Sequence, residues 1–234
     1  MTQYLHFAEA AALQDLSTYI KRGRRINEHG IRLQAAGTVL AAWLPVMTPS
    51  TLTSRIPAVL GLRTMALAEP STADVTVELG SISERLARMN PVEVQLALPP
   101  SRINVPWAAV TPPRSGWEPV GTVPDAQLRA AAEAGIAEVA ETVPQAAGAH
   151  VVEQVRERIW ARPLEHSIPA GAAFGALSLG FITDHDDDRL NQAKTGTRPE
   201  PSQPTDGRAG TAVHRHGRWL RLTSAGGFIL TRTA

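Results

Sequence analysis

The spacing of apolar residues divides the chain into a strand-rich first half and a helical second half. Leu5, Ala8, Ala12, Leu16, Tyr19 and Ile20 recur at helical spacing, which predicts an amphipathic helix over Tyr4–Arg22. Lys21 and Arg22 near its end, with Gly23 after them, suit a helix stop. The period then changes. Ile31, Leu33 and Ala35 alternate with Arg32, Gln34 and Ala36, the signature of a strand within Gly30–Met47. Gly37 permits a turn or bulge, and TVLAAWLPVM continues as a second, more buried strand.

Leu60–Ala68 reads as another strand, and Asp74–Leu79 as a clearer one, with Val75, Val77 and Leu79 on one face. Ser81 or Ser83 can cap a short helix reaching Met89. Val92, Val94, Leu96 and Leu98 then alternate with Glu93, Gln95 and Ala97. Such alternation means sheets with one wet face, which favours antiparallel pairing. The short helix between the last two strands is near the lower limit for a parallel crossover, so some parallel pairing stays open.

Leu98–Pro124 breaks both periods. It holds Pro99, Pro100, Pro106, Pro112, Pro113, Pro119 and Pro124, together with Trp107 and Trp117. A helix is predicted from Pro124-Asp125 to about Val143, with Leu128, Ala132, Ile136 and Val139 inward. Gly148–Arg162 follows as a second helix, with Val151, Val152, Val155 and Ile159 inward. Around 169–182 comes a glycine-rich apolar helix. Asp184–Gly210 is almost wholly polar and has little to bury, so a flexible linker is expected. Thr211–Thr233 recovers strand character, with turns at His216-Gly217-Arg218 and Ser224-Ala225-Gly226-Gly227.

These elements point to an α+β fold: a mostly antiparallel sheet, an N-terminal helix, a central-to-C-terminal helical layer and a docked C-terminal β-meander. The expected organisation is one α+β domain over 1–183, a polar linker over 184–210, and C-terminal strands over 211–234. The tail is too small to fold alone and is expected to pack back on the main sheet.

Composition narrows the chemistry. Hydrophobic residues make up 43% of the 234, enough for a sizeable core. There is no cysteine, which excludes disulfides, zinc–thiolate sites and iron–sulfur clusters. A net charge of +1 argues against an overall electrostatic grip on nucleic acid. The N-terminus has no signal-peptide pattern. Ile168–Thr183 is the most membrane-like segment, with Gly171 and Gly175 as a GxxxG, but it falls short of the roughly 18 to 20 residues of a span. It reads as a buried helix that lets a neighbour approach closely.

Several candidates carry chemistry. His214 and His216 fall on one face of a strand and could share a metal, with Asp184, His185, Asp186, Asp187 and Asp188 as conceivable further ligands. The neighbouring Arg215 and Arg218 discourage a divalent cation, so no metal is assigned. Lys21, Arg22, Arg24 and Arg25 form the densest basic cluster, a phosphate or nucleic-acid patch on one reading. On the other, they complement a helix dipole. No phosphate loop, GxGxxG or GxSxG motif is present, and the adjacent Glu165-His166-Ser167 is not by itself a triad.

The proline-rich segment is the most distinctive feature. Proline lowers the entropy lost on ordering, so a long loop can be held rigid. Trp107 and Trp117 offer broad apolar faces, and Arg102 and Arg114 can stack on them or grip a carboxylate. If both tryptophans pack inward, they brace the loop across the sheet. If the loop is a contact surface, Trp107, Arg114 and Trp117 are its partner-binding residues.

The phrases LGLRTMALA at 60–68, WAAVTPPRSGWEPVG at 107–121, GIAEVA at 135–140 and RIWARP at 158–163 resemble a group of uncharacterised actinobacterial proteins. The resemblance implies a bacterial, cytoplasmic protein and supplies no catalytic residue, cofactor or substrate. The resulting expectation is a non-enzymatic binding or scaffolding protein, with another protein or a second copy as partner and no cofactor. The alternative is a small-molecule binder or enzyme with its pocket between the sheet and residues 99–124.

Overall fold

The computed structural model describes residues 3–51, 53–142, 148–182 and 210–232. It is an α+β fold in which every strand pairing among these residues is antiparallel. The stretch 184–210, expected to be a linker, lies outside the described residues apart from Gly210, as do Asp184–Asp188.

The chain begins with strand β1 (Tyr4–His6) and helix α1 (Ala10–Arg24). This corrects the helix expected from Tyr4. Leu5 and Phe7 are buried, and the Phe7 amide donates to the Val94 carbonyl at 2.7 Å. A distant strand thus claims a segment whose local spacing also fits a helix. Strands β2 (Ile31–Met47), β3 (Ala58–Ser71) and β4 (Asp74–Val77) follow. β2 is one long strand rather than two. Gly37 adopts φ +62° where its register with β3 shifts, a bulge that glycine accepts without strain.

Helix α2 (Leu79–Arg88) starts ahead of both candidate cap serines, with Glu78 at the cap position and no side-chain cap bond. Strand β5 (Gln95–Ala97) is shorter than expected, and Val92 is 77% exposed. The irregular stretch is also shorter, because Glu118–Pro124 forms strand β6. Proline is tolerated there because β6 is an edge strand.

Helices α3 (Asp125–Thr142), α4 (Ala149–Trp160) and α5 (Ala170–Ser178) precede strands β7 (Gly210–His216), β8 (Trp219–Ser224) and β9 (Gly227–Arg232). Ile136 and Val151, expected inward, are each 43% exposed. The inner line of α3 instead runs through Leu128, Ala132 and Gly135. α5 is the buried small-residue helix. A Cβ on Gly175 would come within 3.3 Å of both Ile229 and Val46, so glycine allows the helix to sit close to the sheet. Among the described residues no helix is long and apolar enough to cross a membrane.

Seven strands form one sheet in the order β4-β2-β3-β9-β8-β7-β6, and β1 pairs with β5 beside it. The C-terminal strands are therefore central. β9 pairs with β3, so the sheet runs unbroken from the first half of the chain into the second. Arg63 on β3 reinforces that junction: it donates to Asp15 of α1 at 2.6 Å and to the Gly226 carbonyl before β9.

The sheet's two faces carry different covers. Ile31, Leu33, Leu44, Val59, Leu222 and Ile229 lie in the main core with the helices. Leu60, Trp107, Trp219 and Leu230 form a second buried cluster, with Trp43, Trp117 and Phe228 packed around it. The alternation along β2, β3, β8 and β9 places these residues on the opposite face.

Candidate functional site

Residues 99–117 cover that second face as a strap. At one edge, the Ile103 amide donates to Thr76 of β4 at 2.9 Å. A short 3-10 turn, Pro106–Ala109, then drives Trp107 into the face, where it is 7% exposed. Its indole N–H donates to the His29 carbonyl at 2.8 Å, so burial leaves no orphaned donor. Arg32 of β2 donates to the Ala108 carbonyl at 2.8 Å. The same guanidinium makes a bidentate pair with Asp74, at 2.8 and 2.7 Å. Gln34 adds a bond to Asp74 at 2.8 Å. The hydrogen bond from Arg32, then that from Gln34 and the charges of Arg32 and Arg114, outweigh burial and hold the Asp74 carboxyl below its ordinary value.

Trp117 ends the strap differently. It is half-buried, and its indole N–H donates to Pro113 of the same loop at 3.1 Å. The Arg221 guanidinium lies 4.9 Å from a Trp117 ring centroid, and the His216 ring meets it edge-on at 6.0 Å. Arg114 is exposed. Of the three strap candidates, only Trp107 is a buried brace; Trp117 and Arg114 sit at or near the surface.

His214 and His216 do share a face of β7, as their spacing required. His214 stands directly across from Arg221. Desolvation, then the Arg221 charge, push the His214 pKa down. Among the described residues no group of three His, Asp or Glu side chains could hold a metal ion. The basic cluster is partly spent on the fold. Arg22 donates to the Leu179 carbonyl beyond α5 at 3.0 Å, and Arg24 pairs with Glu28 at 3.0 Å. Lys21 and Arg25 are exposed. Glu165 and His166 approach to 3.5 Å, with His166 half-buried, and among the described residues no hydroxyl hydrogen-bonds to the pair.

The feature that sequence reasoning only outlined is a cleft of about 820 Å³ between the strap, the sheet and the β2–β3 connection. Leu60 and Trp107 form its buried part, and Val105, Pro106 and Val110 supply the strap wall. Thr48, Ser50, Thr51 and Ser54 give the facing wall its hydroxyls. Arg218 and Arg232 also line it, and both are exposed. No carboxylate lines it. A second cavity, about 450 Å³, lies between α2 and β5 with Glu84, Glu93, Arg85 and Arg88 around it. The larger cleft falls within the ordinary size of ligand sites, and it combines an apolar interior with a few polar groups. Among the described residues no hydrogen bond joins the His29 ring to any hydroxyl of the lining.

Arg218 and Arg232 were missed as a pair because 14 residues separate them in sequence. Their one signal was the turn Gly217-Arg218 followed by Trp219. In the sheet Arg232 stands directly across from Trp219, next to Arg218.

Residues 1–109 match a family described as Domain of unknown function (DUF8010). No curated protein matches the chain. Among solved structures, a DNA polymerase sliding clamp from Pseudomonas aeruginosa is 12% identical, with a TM-score of 0.45 over 100% of this chain and 64% of that one. The DNA polymerase III subunit beta from Pseudomonas aeruginosa is 12% identical, with a TM-score of 0.46 and the same coverage. A beta sliding clamp from C. crescentus is 13% identical, with a TM-score of 0.45 over 100% of this chain and 65% of that one. The chain thus spans less than two thirds of the clamps it matches. Over its second half, residues 112–234, the chain belongs to the family described as Domain of unknown function (DUF8185).

Proposed function

We propose that this is a non-enzymatic binding protein that receives its ligand in the cleft between the sheet and the proline–tryptophan strap. The observation that carries the reading is the cleft itself, about 820 Å³ with Trp107 and Leu60 inside it. The strap gives it rigid walls, because Trp107 and Ala108 are tied to the sheet by hydrogen bonds. A preformed apolar surface lets a ligand bind without first ordering a loop. The lack of an aligned nucleophile and base in the lining favours binding over catalysis.

A fragment library screened by protein-observed NMR tests this. The expected result is a cluster of hits that shift the Trp107 indole and Leu60 methyl signals. Hits scattered over the surface, or gathered beside α2 and β5, would overturn it.

The strap's other end supports a second reading, a scaffolding contact with another protein or a second copy. The supporting observation is that Trp117 remains half-exposed with Arg114 exposed nearby. Aromatic and arginine side chains dominate interface hot spots. Affinity capture with wild-type and Trp117→Ala protein separates the two readings: equal capture by a stably folded variant removes this contact.

A further inference from the structure

The cleft's charges specify more than its shape does. Neither the Arg218 nor the Arg232 guanidinium has a hydrogen-bond or ion-pair partner among the described residues. Most other described arginines near the strap are committed: Arg32 to Asp74, and Arg221 to the rings of Trp117 and Phe228. Two exposed, uncommitted cations therefore line a cleft whose own lining includes no carboxylate.

The whole chain carries only +1, so the two cations are not part of an overall positive charge; one acid, Glu153, touches the lining from outside by accepting from Ser50 Oγ at 2.9 Å. Beyond the cations the lining changes to Trp107, Leu60 and Ile56, all buried and apolar. The lining thus combines two exposed cations with a buried apolar part. The second cavity lacks this combination, since acids and bases alternate around it.

Resting on the binding reading above, we propose that the cleft takes an amphipathic anion: an apolar chain or ring carrying one carboxylate or phosphate. Its apolar body lies along Leu60 and Trp107, and its head meets Arg218 and Arg232. Arginine suits this role because its planar fork matches carboxylate and phosphate oxygens in pairs. The hydroxyls of Thr48 and Thr51 on the facing wall supply further donors for the head. Apolar burial provides affinity, while the two guanidinium groups select the sign of the head group.

The test uses four probes with one ten-carbon tail: decanoate, decyl phosphate, decanol and decyltrimethylammonium. Binding is followed by calorimetry and by the Trp107 indole NMR signal. The two anions are expected to bind at least about tenfold tighter than decanol, and the cation not at all. Their relative affinities distinguish a carboxylate from a phosphate ligand. The double variant Arg218→Glu/Arg232→Glu alters only exposed side chains, and an unchanged Tm verifies its fold. It is expected to lose the anion preference and retain decanol binding.

Equal binding of decanol and decanoate to the wild type overturns the anion assignment and leaves the cleft as the binding site. An undiminished anion preference in the double variant overturns the role of the two arginines. No binding of any probe overturns the proposal, while fragment hits at Trp107 would keep the broader reading standing. If the fragments also avoid the cleft, both readings fall.

Discussion

The two faces of the seven-stranded sheet are covered by different physical means. On one face, helices satisfy their own backbone hydrogen bonds and need supply only apolar side chains. The cover is a continuous core from Leu13 and Leu16 of α1 to Ala172 and Ala176 of α5. On the other face, the strap has little hydrogen bonding of its own. It must be tied down group by group, through Thr76, His29 and Arg32. Large indole rings substitute for a helix's many small contacts: Trp43, Trp107, Trp117 and Trp219 all gather there. The fit is also less complete. Trp43 Nε1, His214 Nδ1, Arg221 Nε and Thr223 Oγ1 are buried without a hydrogen-bond partner among the described residues. The helical face leaves Thr231 Oγ1 in the same state. A helical layer closes over a sheet, whereas a strap leaves openings, and the 820 Å³ cleft is one of them.

The largest expected effect tests whether one ring holds the strap. Trp107→Ala removes a nearly fully buried indole and should cost about 3 to 5 kcal/mol in denaturant unfolding. A loss below about 1 kcal/mol would mean that the strap is not a structural cover. Arg32→Ala comes next. It removes a bidentate pair and a bond to the strap carbonyl, and should cost about 1.5 to 3 kcal/mol. Hydrogen exchange should accelerate in the strap and β4 but not in α3 or α5. Uniform acceleration would mean that the two covers do not open separately.

Trp117→Ala should cost only about 1 kcal/mol, since the ring is half-exposed and a single cation–π contact to Arg221 is lost with it. A cost equal to that of Trp107→Ala would erase the difference between the strap's ends.

The smallest expected effect is a pH dependence to which two groups of the strap-covered face contribute. The Asp74 carboxyl is held below its ordinary 3.8, so its contribution is present above pH 3.8 and is lost as pH falls through its folded value. His214 is held below its ordinary 6.5, so the unfolded chain takes up a proton first as pH drops. Stability should therefore begin to fall below pH 6.5 and fall again below pH 3.8. His214→Gln should flatten the first step and Asp74→Asn the second, read as denaturant midpoints across pH. Unchanged profiles in both variants would remove these groups as the cause.

Particular residues mark what could be read in advance. Asp74, Val75, Thr76 and Val77 alternate over a short stretch and form the expected strand. The Gly217 and Gly226 turns divide the tail into β7, β8 and β9 as their positions implied. Tyr4–His6 was misassigned because a partner more than 85 residues away decides it, through the pairing of Leu5 with Leu96. Ile136 illustrates a subtler error. Its spacing placed it on the inner stripe, but α3 turns Gly135 towards Trp160, where an added Cβ would lie 2.5 Å from the ring. The pocket's general location was legible in the prolines and tryptophans of 99–124. Its charge was not, because Arg218 and Arg232 become neighbours only through the β8–β9 pairing.

The sequence by itself determined the local periods: which segments alternate, which repeat at helical spacing, and where proline and glycine interrupt both. Those are properties of the backbone and of adjacent side chains. Only the tertiary structure decided that the last three strands lie in the middle of the sheet, that the strap covers one face, and that two distant arginines line the same cleft. Each of those outcomes depends on long-range antiparallel pairing, whose register is set by which faces must be buried together.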